Sequence, residues 1–234
     1  MITFSKNTFR SMRSAEYTAV IVEPRKHKAT EFVLNNFLEN LSSDWNIVIF
    51  HGKSNKDFMY DIINKMQQSQ IDRITTVQLE VDNLTIPVYN ALFKSPLFYN
   101  YIPTEMFLVF QTDSIILPEN KHMIYDFMDY DYVGAPIRKW TRGTYLVGNG
   151  GLSLRRKSKM LEVIEKGSAD KYLTEDVFFV TNKYIDVNKP SYNEAKNFST
   201  QSEFSNKSFG VHKTWKHANK QPLIKKLYEL NRKT

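Results

Sequence analysis

Four groups of polar residues in this chain have the types and spacing that chemistry on an anionic ligand needs. The first is Gln111-Thr112-Asp113, which interrupts the apolar run from Phe107 to Leu117. In an open α/β sheet, ligands sit beyond the carboxyl ends of the strands. An acid there can hold Mg2+ or Mn2+ between itself and two phosphates, because hard cations take oxygen ligands and keep some water. As plain structure, Asp113 ends the strand or caps a turn. The second group is Gly148-Asn149-Gly150-Gly151, where glycines bring backbone N–H groups close to a ligand or simply turn the chain. Its order matches neither the Walker loop nor the dinucleotide fingerprint. The third is Glu175-Asp176 before Val177-Phe178-Phe179: a pair of helix caps, or a general base beside one cap, since adjacent side chains diverge. The fourth is His212-Lys213. A neutral imidazole completes a metal site and a lysine neutralises a diphosphate, but a lone histidine serves equally well as structure.

The elements that must position these groups follow from hydrophobic periodicity. Ala19 to Val22 is a β-branched run stopped by Pro24, a buried strand. Phe32, Val33, Phe37, Leu38 and Leu41 then recur at helical spacing over about 28–41. Trp45 to Phe50 is a second strand, and Phe58, Ile62, Ile63 and Met66 mark a second helix. Ile74 to Val81 alternates as a third strand, and a mostly helical stretch over about 87–101 leads to a strand from Met106 to Ile116. Four strand-helix alternations predict a parallel-based α/β sheet covered on both faces.

Beyond residue 117 the pattern is mixed. Tyr132 to Pro136 is a short strand, and Leu152-Ser153-Leu154 opens a helix carrying Met160, Leu161 and Ile164, with Gly167 placed to end it. Thr174-Glu175-Asp176 starts another helix. Regularity fades until Phe209 to Trp215, and a basic amphipathic helix finishes the chain. The expected organisation is a single domain over 1–234. It has a nucleotide-binding half over about 17–117, an acceptor and catalytic half over about 118–215, and a basic C-terminal helix over 216–234.

Composition narrows the class. The chain has 234 residues, 41% of them hydrophobic, enough for one sizeable core. It has no cysteine, which excludes thiolate metal sites and cysteine nucleophiles and fits a reducing compartment. No apolar run approaches the ~20 residues that span a bilayer, and the polar, basic start is no secretory signal, so the expected location is cytoplasmic. The net charge of +7 points to an anionic partner. Much of the excess lies at the ends, in Lys6, Arg10 and Arg13 and in Lys213, Lys216, Lys220, Lys225, Lys226, Arg232 and Lys233. Aromatic residues are not interleaved with a basic stripe, which argues against nucleic acid and for a phosphate pocket.

In combination and order, these stretches resemble a GT-A-like glycosyltransferase domain family of unknown function. The matching segments are VIVEPRKHKATEFVLNNFL (20–38), WNIVIFHG (45–52), FQTDSIIL (110–117), YDYVGAP (130–136), VGNGGLSLR (147–155), TEDVFF (174–179) and FGVHKTW (209–215). The resemblance implies a Rossmann-like, mixed but mainly parallel central sheet flanked by helices. It also implies transfer of a sugar from a nucleotide-sugar donor, a UDP-sugar first, to a hydroxyl of a glycan, protein or small-molecule acceptor.

By the same resemblance Asp113 and His212 hold Mn2+ or Mg2+, Lys213 meets the diphosphate, and Gln111 and Gly151 line the donor site. Arg25 is a candidate for the nucleotide's base or ribose and Asn149 and Gly150 for the donor sugar, while Glu175 or Asp176, with Asp176 favoured and Glu175 in support, is the general base if the reaction inverts. GT-A enzymes usually carry Asp-x-Asp; Gln111 at its first position leaves one carboxylate for metal. Two alternatives stand beside this reading. One is a non-catalytic sugar- or nucleotide-binding module, favoured by Gln111. The other is a nucleotidyltransferase, disfavoured because Glu23-Pro24-Arg25-Lys26-His27 after the first strand contains no glycine.

Overall fold

A computed structural model describes residues 14–137, 146–167, 174–202 and 204–232. Lys6, Arg10, Arg13 and Lys233 lie outside them. The first half alternates as its periodicity requires: β1 (Tyr17–Val22), α1 (Thr30–Asn40), β2 (Trp45–His51), α2 (Lys56–Asn64), a short α3 (Gln68–Ile71) and β3 (Ile74–Gln78). α4 (Ile86–Phe93) and α5 (Pro96–Tyr99) then lead to β4 (Met106–Phe110). β1 lies between β2 and β4, both parallel to it, with Val20 opposite Val48 and Val109. Strands flanked on both sides and covered on both faces must be apolar throughout, and β2 and β4 are buried along their whole length.

The run from Met106 to Ile116 is not one strand. It breaks at Gln111-Thr112-Asp113, and β5 (Ser114–Ile116) leaves the main sheet. Three polar residues cannot continue between two apolar layers, and Ser114 Oγ turns back to donate to the Gln111 carbonyl at 2.8 Å. The second half supplies β6 (Tyr132–Gly134), β7 (Pro136–Ile137), β8 (Leu146–Val147) and β9 (Leu152–Arg156). Leu152-Ser153-Leu154 is therefore strand, and the helix α6 (Lys157–Lys166) starts only after it. The reason lies in the sheet. β9 sits between β4 and β6, antiparallel to both, with Leu152 and Leu154 facing one core layer and Arg155 facing aromatic rings of the other.

Strand order is β3-β2-β1-β4-β9-β6, a six-stranded mixed, mainly parallel sheet that draws on both halves of the chain. α7 (Glu175–Val180) follows, then α8 (Tyr192–Phe198), which sequence periodicity missed. Its start carries a capping box: Ser191 Oγ accepts from the Glu194 N–H, and Glu194 accepts from the Ser191 N–H. β10 (Ser199–Thr200) and β11 (Gly210–His212) join β5 in a three-stranded sheet, and α9 (Pro222–Asn231) buries Ile224 and Leu227. Antiparallel pairing of β11 with β5 sets His212 opposite Ser114, next to Asp113. Among the described residues no helix is long and apolar enough to cross a membrane.

Candidate active site

β1 and β4 run side by side in parallel, and the chain after both ends in polar residues. A cavity of about 490 Å³ opens there, and every site residue expected from the sequence lines it: Arg25, Gln111, Asp113, Asn149, Gly150, Gly151, Glu175, Asp176, His212 and Lys213. Five segments converge, namely the ends of β1 and β4, the turn before β9, the start of α7 and the end of β11.

On the β5–β11 side, His212 Nε2 lies 3.2 Å from Asp113 Oδ1. The two atoms are close but not aligned as a hydrogen bond: Asp113 Oδ1 and both ring nitrogens of His212 are buried without a hydrogen-bond partner. Lys213 Nζ stands 3.5 Å from Asp113 Oδ2, and the Lys213 N–H donates to the Asp113 carbonyl. Burial pushes the Asp113 carboxyl up, but His212 and Lys213 outweigh it and hold the group down at about 2. Lys213 is the one non-glycine residue with positive φ, 50°, among the described residues. A side chain in that region costs about 1–2 kcal/mol. Backbone strain of this kind clusters at functional sites.

The glycine turn does not offer its N–H groups outward, as its composition suggested. The Gly150 N–H donates to Asp176 Oδ2 at 3.2 Å and the Gly151 N–H to Asn149 Oδ1 at 3.1 Å. The glycines are required by close approach: a Cβ on Gly150 would strike the Glu175 carboxylate, and one on Gly151 the His212 ring. Glu175 and Asp176 diverge. Neither is the helix cap, because Thr174 occupies the N-cap position and the Glu175 N–H donates to Asn90 Oδ1. Glu175 turns inward to a bidentate pair with Arg155, at 2.6 and 2.9 Å, both side chains almost without solvent contact. Burial pushes its carboxyl up, against the pull of Arg155. Asp176 is half-buried, and its Oδ1 accepts from the Val177 N–H.

After β1, Arg25 Nε and Nη2 each reach the buried Glu23 carboxylate at 2.8 Å, and Thr112 donates to it more weakly at 3.4 Å. Asn55 ties the carbonyls of Glu23 and Arg25. Gln111 Nε2 donates to the Tyr89 hydroxyl at 2.9 Å, which fixes the face its amide presents. Glu23, Tyr89, Asn90 and Arg155 are the residues sequence reasoning missed. Arg155 had a signal, because an arginine inside an alternating strand must find a carboxylate. That signal exists only once Leu152–Arg156 is read as strand.

Solved structures share this architecture. The galactosyltransferase LgtC, in complex with donor and acceptor sugar analogs, superposes with a TM-score of 0.61 over 91% of this chain and 94% of that one, at 12% identity. A second LgtC structure, an active-site mutant, gives 0.57 over the same shares at the same identity. HddC from Yersinia pseudotuberculosis, complexed with GMP-PN, gives 0.50 at 13% identity over 92% of this chain and all of that one. At such identities the likeness is one of fold. No curated protein matches the sequence. The model of the family described as "Protein of unknown function (DUF5672)" matches residues 73–212, from the start of β3 through the glycine turn and the two acids to His212, and the chain belongs to that family, on a GT-A-like fold.

Proposed function

We propose that the protein transfers a sugar from a nucleotide-sugar donor, a UDP-sugar first, to an acceptor hydroxyl. The observation that carries this reading is the Asp113–His212 pair: a buried imidazole and a half-buried carboxylate whose facing atoms lie 3.2 Å apart without a hydrogen bond, beside a strained lysine at the carboxyl end of a strand. Two cis ligands of a six-coordinate ion with bonds near ~2.1 Å lie about 3 Å apart, so the spacing fits one divalent cation. Among the described residues no cluster of three or more His, Cys, Asp or Glu side chains forms a complete metal site. Two protein ligands suffice for a cation of the Mg2+ or Mn2+ type, which completes its shell with water and phosphate oxygens. An imidazole in the set favours Mn2+ over Mg2+.

Bound by Asp113 and His212, such a cation supplies positive charge against the diphosphate. Lys213 adds the second positive charge and stabilises the nucleoside diphosphate as it leaves, an electrostatic task. The half over 17–117 holds the nucleotide, with the Arg25–Glu23 pair at the base or ribose and the Gln111 amide oxygen open to a donor hydroxyl. Asn149 and Gly150 stand at the donor sugar. The acceptor oxygen bonds to the anomeric carbon as the bond from that carbon to the diphosphate breaks. Asp176, which lines the cavity, takes the acceptor proton; Glu175, buried in its pair with Arg155, only supports it. The LgtC likeness, a galactosyltransferase crystallised with donor and acceptor sugar analogs, agrees with a site for both substrates.

Calorimetric titration tests the reading. UDP and GDP with Mn2+ should bind at least about tenfold, or ~1.4 kcal/mol, more tightly than the monophosphates, and the gap should shrink without the cation. Equal affinity for mono- and diphosphates under both conditions would remove the diphosphate site and with it the transfer reaction.

A further inference from the structure

Arg155 is charged and fully buried, yet the reaction above gives it no direct part. Its guanidinium lies over the rings of Tyr132 at 4.7 Å, Phe93 at 5.1 Å and Phe179 at 5.9 Å, which fixes its plane. From that cage it holds two things at once. Nη1 and Nη2 donate to the two Glu175 oxygens at 2.6 and 2.9 Å. Nη2 also reaches the Gly150 carbonyl at 3.4 Å. Nε donates to Ser153 Oγ at 2.9 Å, and Ser153 Oγ donates to the same carbonyl at 3.1 Å. On the other side of that residue, the Gly150 N–H donates to Asp176. Gly150 is thus held by its carbonyl from below and by its N–H from the acid next to Glu175.

We infer that Arg155 is a positioning residue: through Glu175 and the Gly150 carbonyl it locks the glycine turn and the Asp176 carboxylate into one rigid unit at the reacting centre. The inference rests on Asp176 being the base of the proposed transfer. A buried ion pair is a poor source of stability, since a well-packed apolar pair of similar volume does as well or better. What an apolar pair cannot supply is direction. A planar fork gripping a carboxylate bidentately, while clamped between rings, fixes orientation as well as distance. A shift of Gly150 would be transmitted to Asp176 through a single hydrogen bond.

Three variants test this. Arg155→Lys keeps the charge and loses the fork. The double variant Arg155→Met with Glu175→Leu replaces the pair by apolar side chains and should fold. Ser153→Ala leaves the pair intact and frees one bond to the Gly150 carbonyl, so it carries the test if both Arg155 variants fail to fold. In each folded variant, UDP with Mn2+ should bind within about threefold of the parent, since the Asp113–His212–Lys213 side is untouched.

Amide exchange at Gly150 and Gly151 should quicken by about tenfold or more, because a local opening has become easier. Turnover should fall by about 10²-fold in the Arg155 variants, less in Ser153→Ala, while UDP affinity holds. Parent-like turnover and parent-like Gly150 exchange in a folded variant would show that the arginine only fills space. If the parent itself moves no sugar from any nucleotide donor, it is the transferase reading that fails, and the exchange rates alone decide whether Arg155 holds the turn.

Discussion

Asp113 is the residue on which most of the site depends, and its surroundings make its role measurable in two ways. The carboxyl is held at about 2 against an ordinary 3.8 because His212 and Lys213 outweigh the effect of burial. A folded value below the unfolded one means stability that is full above pH ~4 and lost as pH falls towards ~2. The loss is about 2 kcal/mol, and Asp113→Asn should flatten that arm of an acid-unfolding curve. The same variant should abolish the extra affinity that Mn2+ confers on a nucleoside diphosphate; unchanged affinity by calorimetry would return Asp113 to the role of a turn residue. Lys213 makes the opposite trade. Its φ of 50° is strained for any side chain, so Lys213→Gly should relieve about 1 kcal/mol, offset in part by the entropy of glycine in the unfolded chain. Its unfolding midpoint should therefore change little, since the lost attraction to Asp113 opposes that relief, while affinity for diphosphate falls more than affinity for monophosphate. A variant that is clearly less stable would make this backbone a structural necessity rather than stored strain.

Among the elements, the turn before β9 matters through what it cannot carry. Gly151 lies against the His212 ring so closely that a methyl group has no room. Gly151→Ala must therefore displace the imidazole from its place beside Asp113 or shift the turn. The expected result is a folded protein, less stable by about 1–3 kcal/mol, that needs a higher Mn2+ concentration for half-maximal nucleotide binding. If the metal requirement stays the same, His212 is not a ligand. β9 itself shows how an element's position changes the meaning of its residues. As the opening of a helix, Leu152 to Arg156 would have turned Arg155 towards solvent; between β4 and β6 the same residues bury it beside Glu175.

Across the whole molecule, one sheet drawn from both halves of the chain forms the floor of the cavity, and segments from 22 to 213 line it. A ligand held there should therefore stabilise the sheet as a whole. A nucleotide at 100 times its Kd should stabilise the whole fold by ~2.7 kcal/mol, a rise of roughly 5–10 °C for a chain of this size. Thermal-shift curves with UDP and Mn2+ should move as a single transition. A split transition would mean that the two halves unfold separately.

The sequence by itself determined the alternation from β1 to β4 and the parallel character of the sheet, which follow from period and β-branching. It also singled out Gln111-Thr112-Asp113 as polar residues that must sit at a strand's rim, but not Glu23, Tyr89 or Asn90, which line the same cavity. Local periodicity did not resolve Leu152-Ser153-Leu154, because two leucines two residues apart suit a strand and the first turn of a helix equally. It also missed α8, although Ser191 and Glu194 stand at the spacing of a capping box. Only the tertiary structure decided the break after Phe110, the pairing of β5 with β11, and the burial of Arg155 against Glu175. Each depends on partners far apart in the chain, His212 with Ser114 and Arg155 with Glu175. A buried charge or an unpaired strand edge is settled by what packs against it, and sequence spacing does not carry that information.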